Sequence, residues 1–149
     1  MPSNITAIRH AIAAAYSVDV PELKLVLPYL PAALGETPAH IFWQAGSQVL
    51  HATQGGMRIG WTLTGYVCML PLGEAETERQ LTAIVAKMYD CLHRNLEASG
   101  TIGDGTVTLT ASDRFVLTLA GTPFQAQRVT YFVEESFSYA YGRTGEAEV

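Results

Sequence analysis

The sequence is short of charge. Only 15% of its 149 residues are Asp, Glu, Lys or Arg, against about 25% in an average soluble domain. A chain of this length buries roughly 70% of the surface its unfolded form exposes. The rest must be covered with something, and here much of it is neutral polar or apolar. Two explanations stand side by side: surface reserved for a partner, or a sheet whose Thr, Ser and Gln face water. The basic residues are scattered as Arg9, Lys24, Arg58, Lys87, Arg94, Arg114, Arg128 and Arg143, with Arg79 inside an acidic stretch, and the net charge is −5. That is no electrostatic footprint for gripping nucleic acid.

Cysteine is scarce too. Cys68 and Cys91 allow one bridge at most, and they read as free, buried thiols. No apolar run reaches the roughly 18 residues that a membrane span needs. Arg9 and His10 interrupt the only early apolar stretch, so it does not read as a secretory leader.

The usual signatures of chemistry are missing. There is no Gly-x-Ser-x-Gly elbow and no phosphate-binding loop. His10, His40, His51 and His93 lie far apart, none beside a second His or Cys at metal-ligand spacing. Asp90 and His93 share a helix face and read as a solvated ion pair. Glu134 and Glu135 are adjacent, so a strand sends them to opposite faces. These readings single out no catalytic, cofactor-binding or metal residue and point to no cofactor.

What is present is a periodic pattern of helix and strand. Residues 4–17 read as a helix capped by Asn4, with Ile5, Ile8, Ile12, Ala15 and Tyr16 on one face. Residues 21–38 carry Pro21, Pro28, Pro31 and Pro38 and read as an extended connection that packs on something, because its other residues are apolar. Strands are expected at 40–44, 48–53 and 57–72, with a turn at Gln54-Gly55-Gly56. Gly65, inside the last of these, marks a bulge or a close backbone approach. Residues 74–99 read as an amphipathic helix with an acidic start and the stripe Leu81, Ile84, Val85, Met88, Leu92 and Leu96, closed by Gly100. Strands follow at 106–111, 114–120 and 125–141. Strand groups joined by turns and separated by helices predict an α+β fold. The whole chain, 1–149, is expected to form one domain, with 137–149 a docking arm or a frayed tail.

Some residues stand out as interface candidates. Trp61 follows Gly55, Gly56 and Gly60, and Arg58 sits between apolar neighbours in the same stretch. Phe137, Tyr139 and Tyr141 fall on one strand face near the C-terminus, where few neighbours are at hand to bury them. For each aromatic the alternative is an ordinary core or edge position.

The order of these segments resembles the tail terminator (tail completion) proteins of long-tailed bacteriophages. The likeness lies in a short helix leading into the proline-rich stretch from Val20-Pro21 to Pro38. It continues in a strand ending Met69-Leu70-Pro71-Leu72-Gly73, an acidic amphipathic helix from Glu74 to Ser99, and the aromatic strand Val129-Thr130-Tyr131-Phe132-Val133-Glu134. It spans nearly the whole chain and is one of pattern, not of a diagnostic motif.

The resemblance implies a mixed, mainly antiparallel sheet with two helices packed on one face. It implies a structural virion protein, made in the bacterial host cytoplasm. Such a protein forms a homohexameric ring on the last ring of tail tube protein and joins it to the head–tail connector or stopper protein. DNA would pass through the ring without specific binding, and no membrane is involved. The family has no catalytic residues to carry over. The competing readings are another neck or minor tail component, such as a stopper or tube-like protein, and a small ligand-binding or enzymatic α+β domain.

Overall fold

The structure is a computed structural model that describes residues 5–96 and 106–138. Its element order is α1 (Ile5–Asp19), β1 (Leu25–Leu27), β2 (Ala39–Ala52), β3 (Gly56–Met69), α2 (Glu74–Cys91), a π-helical turn (Leu92–Leu96), β4 (Thr106–Leu119) and β5 (Thr122–Ser138). The five strands form one sheet in the order β1-β2-β3-β5-β4. β1 pairs parallel with β2 and every other pairing is antiparallel. This is the expected α+β fold with a mixed, mainly antiparallel sheet.

Both helices pack on one face of the sheet. Ile5, Ile8, Ile12 and Tyr16 of α1 join Leu81, Ile84, Val85 and Met88 of α2, and Leu92 beyond it, in a core completed by Phe42, Leu63, Val67, Leu109, Val129, Tyr131 and Val133. The period-two residues of β5 thus face the helices, as their alternation requires. The opposite face carries a smaller cluster, Cys68, Phe124 and Ala126, flanked by Tyr66, Phe115, Leu117 and, from the proline-rich segment, Leu34. Cys68 and Cys91 are both free and buried, in different clusters.

Several sequence boundaries shift, and bulges explain most of them. The strands expected at 40–44 and 48–53 are one strand, β2, which continues through Ala45 and Leu50 by register shifts against β3. The strands expected at 106–111 and 114–120 are likewise one strand, β4. Its register against β5 shifts between Ala111 and Arg114. One added residue reverses the side to which following residues point. Val107, Leu109 and Ala111 therefore face the helices, whereas Phe115, Leu117 and Leu119 face the other side.

Other differences are local. The proline-rich connection contains the three-residue strand β1, paired with Ala39–Ile41. The second helix is α-helical only to Cys91, and its last stretch winds as a π turn. Asp90 pairs with Arg94 at 2.8 Å, one turn on, and not with His93. Asn4 and Gly100, the expected helix caps, lie outside the described residues.

Gly65 makes a close approach and not a bulge, because the β3 register runs through it unbroken. A Cβ there would stand 2.7 Å from the Ile41 carbonyl oxygen, 2.7 Å from Phe42 Cβ and 3.1 Å from the His40 ring. The missing side chain is what lets the rings of His40 and Phe42 stack, at 4.9 Å between centroids.

Candidate assembly surface

Arg58, Trp61 and the backbone of Phe137 fall on one ribbon. β2, β3 and β5 run on past the helix layer, so β2 is exposed or half-buried from Trp43 to Ala52. The turn at its tip is pinned from within: the Thr53 N–H donates to the Gly56 carbonyl at 2.8 Å, and the Gly55 N–H to the Thr53 hydroxyl at 3.2 Å.

Arg58 and Trp61 occupy opposite faces of this ribbon. Arg58 lies on the face away from the helices, where Nη2 meets Glu134 Oε1 at 2.5 Å and Nη1 donates to Ser136 Oγ at 3.3 Å. Trp61 lies on the helix face, half-buried against the main core. Its indole N–H donates to Glu135 Oε1 at 2.6 Å. Trp61 stands well inside β3, five residues past its first glycine. Glu135, buried on the helix face, is satisfied by it. Adjacent Glu134 and Glu135 do point to opposite faces, each with its own partner.

Phe137 stands opposite Met57 in the β3–β5 register, so its backbone belongs to the sheet and is not a free arm. Its side chain, and all of Tyr139 and Tyr141, lie outside the described residues.

The remaining apolar exposure is dispersed: Val18 on α1, Tyr29 and Leu30 in the proline-rich segment and Tyr89 on α2 are exposed, as are residues at the edges and ends of the sheet. Val49 is 61% and Leu50 38% exposed near the β2 tip, and Val116 is 57% exposed on β4. Leu70 and Leu72 are exposed where β3 leads into α2. From Ala39 to Met57 there is no Asp, Glu, Lys or Arg. Beyond Ile41 the outer edge of β2 has no neighbouring strand, and β4 has none on its outer side, among the described residues. A long, uncharged, open edge is a template for pairing with another chain, and soluble proteins normally block such edges with charges, proline or bulges.

His40, Tyr131 and Tyr16 form a buried polar network with no opening to solvent. His40 Nδ1 lies 3.0 Å from the Tyr66 carbonyl oxygen, which can only accept, so that nitrogen carries the proton. Nε2 is then bare and accepts from the Tyr131 hydroxyl at 2.7 Å. The Tyr131 oxygen, its proton committed, accepts from the Tyr16 hydroxyl at 2.9 Å. Burial holds the His40 pKa down to about 4 and raises those of Tyr16 and Tyr131. His40, Tyr131 and Tyr16 are each fully buried, so the chain joins α1, β2, β3 and β5 and offers nothing to a substrate. Sequence reading missed it, because its members are up to 115 residues apart.

Among the described residues nothing else gathers reactive groups. Burial pushes the Cys68 thiol up to about 12, so it stays protonated and unreactive at neutral pH. The hollows lined by described residues are open to solvent. One, of about 360 Å³, lies beside α2 between Glu22, Pro38, Arg79, Gln80 and Ile84. Its Glu22 pairs with Lys87 and its Arg79 with Glu76. Among the described residues no group of three or more His, Cys, Asp or Glu could hold a metal ion. Nor, among those residues, is any helix long and apolar enough to cross a membrane.

No protein-family model matches the chain, and no curated protein matches it either. Among solved structures, a chain from the virion of a native gene transfer agent particle aligns with 92% of this chain and 100% of its own. The two are 11% identical, with a TM-score of 0.49.

Proposed function

We propose that this protein is a structural assembly subunit, the tail terminator of a long-tailed bacteriophage, and that it works as a homohexameric ring. The ring caps the last ring of tail tube protein, stops its growth and offers its other side to the head–tail connector or stopper protein. The observation that carries the assembly reading is the pair of open strand edges on one sheet. Among the described residues a single copy leaves β4 and, beyond Ile41, β2 without an outer partner, and from Trp43 to Ala52 the β2 edge is guarded by no charge or proline, only by bulges at Ala45 and Leu50. The choice of terminator over other assembly proteins rests on the order of segments along the sequence.

The low charge suits the same role, since a ring subunit buries surface on two sides at once. Arg58, Trp61, Phe137, Tyr139 and Tyr141 are the proposed contact residues at the ribbon and chain end. DNA passes through without specific contacts, as a chain of net charge −5 permits.

The test is tube capping. Tail tube protein encoded beside this chain would be polymerised with and without it, and tube lengths measured by electron microscopy. Short tubes carrying extra density at one end support the reading. Tubes of unchanged length with bare ends contradict it.

A further inference from the structure

The two open edges match each other in height, direction and face. Cross-strand partners define levels across the sheet. Trp43, Thr64, Thr130 and Thr110 share one level. Gly46, Thr62, Phe132 and Thr108 share another, and Gln48, Gly60, Glu134 and Thr106 a third.

Just below the Trp43 level both edges are blocked, although β4 is open again on its outer side from Phe115 to Leu119 among the described residues. On one side β1 occupies the edge of β2 at Ala39–Ile41. On the other, the Ala111 N–H donates to the Tyr89 hydroxyl at 3.0 Å. The Ser112 carbonyl in the adjoining bulge accepts from Gln127 Nε2 at 2.6 Å, and Asp113 and Arg114 add charge there. At and above the Trp43 level neither edge carries a charge: Trp43–Gln48 and Thr106–Thr110 are free of Asp, Glu, Lys and Arg. The open stretches on opposite edges therefore begin at one height.

Resting on the ring reading, we infer that the ring closes by edge-to-edge strand pairing, Trp43–Gln48 of one copy beside Thr106–Thr110 of the next. β2 and β4 run in opposite directions, because three antiparallel steps separate them. Copies related by an axis along the strands keep their direction, so the new pair is antiparallel. Pairing at equal levels also keeps faces consistent. Trp43, Gly46, Thr108 and Thr110 all lie on the side away from the helices, so no copy must turn its core side outward. The occupant of each edge is thus a second copy of this chain, met through its other edge.

Gly46→Cys with Thr108→Cys tests the pairing. Thr108 is exposed, and a Cβ at 46 meets nothing within 4 Å. Directly opposed antiparallel residues bring Cα atoms to roughly 4.5–5.5 Å, within disulfide range. Cys68 and Cys91 are buried and stay out of the reaction. The double variant, oxidised mildly at native pH, should give a non-reducing ladder of covalent multimers whose peptide map contains 46–108 linkages. Each single variant should give no ladder. Linkages joining 46 to 46 would mean two-fold pairing and overturn the inference. A particle that light scattering shows to be oligomeric, yet forms no 46–108 link, overturns the edge pairing and leaves the ring standing. A strictly monomeric wild-type chain overturns both. As a second variant, Thr108→Lys should weaken self-association at least tenfold while the subunit's melting temperature holds. Unchanged association would contradict the inference.

Discussion

The Tyr131 hydroxyl lies 2.7 Å from His40 Nε2 and donates its own proton there, which leaves the Tyr131 oxygen to accept from Tyr16 at 2.9 Å. The order of donors makes the three residues unequal. Tyr131→Phe leaves a buried imidazole nitrogen and a buried hydroxyl both without partners. Each unsatisfied group costs about 1–3 kcal/mol. Tyr16→Phe removes only the outermost donor, and Tyr131 still serves His40. Urea unfolding should therefore rank Tyr131→Phe as clearly more damaging than Tyr16→Phe. The reverse ranking would contradict the donor order.

The same network sets a pH dependence. Unfolded, the His40 imidazole takes up its proton near 6.5. Folded, burial holds it neutral down to about 4. Between those values the unfolded chain binds more protons, so stability is fully present above pH 6.5 and falls as the pH drops toward 4. The slope from this one group approaches about 1.4 kcal/mol per pH unit. A His40→Phe variant, whatever its absolute stability, should lose that component between pH 6.5 and 5. An unchanged slope would show that His40 is not held neutral.

Ala120 and Gly121 form the two-residue loop of the β4–β5 hairpin, with φ of 51° and 81°. A positive φ suits Gly121, and the flanking strand twist favours this hand of turn. Ala120 adopts it at a cost of roughly 1–2 kcal/mol, which Gly avoids and Asn reduces. Ala120→Asn should stabilise the fold by about 0.5–1 kcal/mol, after allowance for the new side chain, and so raise the denaturation midpoint. A lower midpoint would mean that the turn is not of this type.

At Gly65 an added methyl has nowhere to go. Two of its neighbours are the Ile41 carbonyl and Phe42 Cβ, both fixed by the β2–β3 ladder. Gly65→Ala should destabilise by about 1–3 kcal/mol, the usual cost of forcing extra volume into a packed site. Thermal unfolding measures it, and no loss would refute the close approach.

What could be read from the sequence was whatever repeats locally. The Leu81–Leu92 stripe and the alternation Val129, Tyr131, Val133 each follow one element's own period, and both meet the core as expected. β2 and β4 were each split in two because bulges near Ala45, Leu50 and Ser112–Asp113 break the alternation while the backbone ladder carries on. β1 escaped notice because three residues show no period. His40 looked like an isolated histidine, since its partners come from Tyr66, Tyr131 and Tyr16, remote in sequence. The low charge of the β2 edge was legible as composition. The edges could not be read, because an edge exists only once the strand order is known.

The central claim is that this chain is built to assemble with itself, and the mass of the native particle tests it most directly. Six copies of a 16.1 kDa chain give about 97 kDa. Sedimentation or mass photometry of the purified protein should find a closed species at that mass, with no longer series. A particle of 16.1 kDa at every concentration tried would contradict the account.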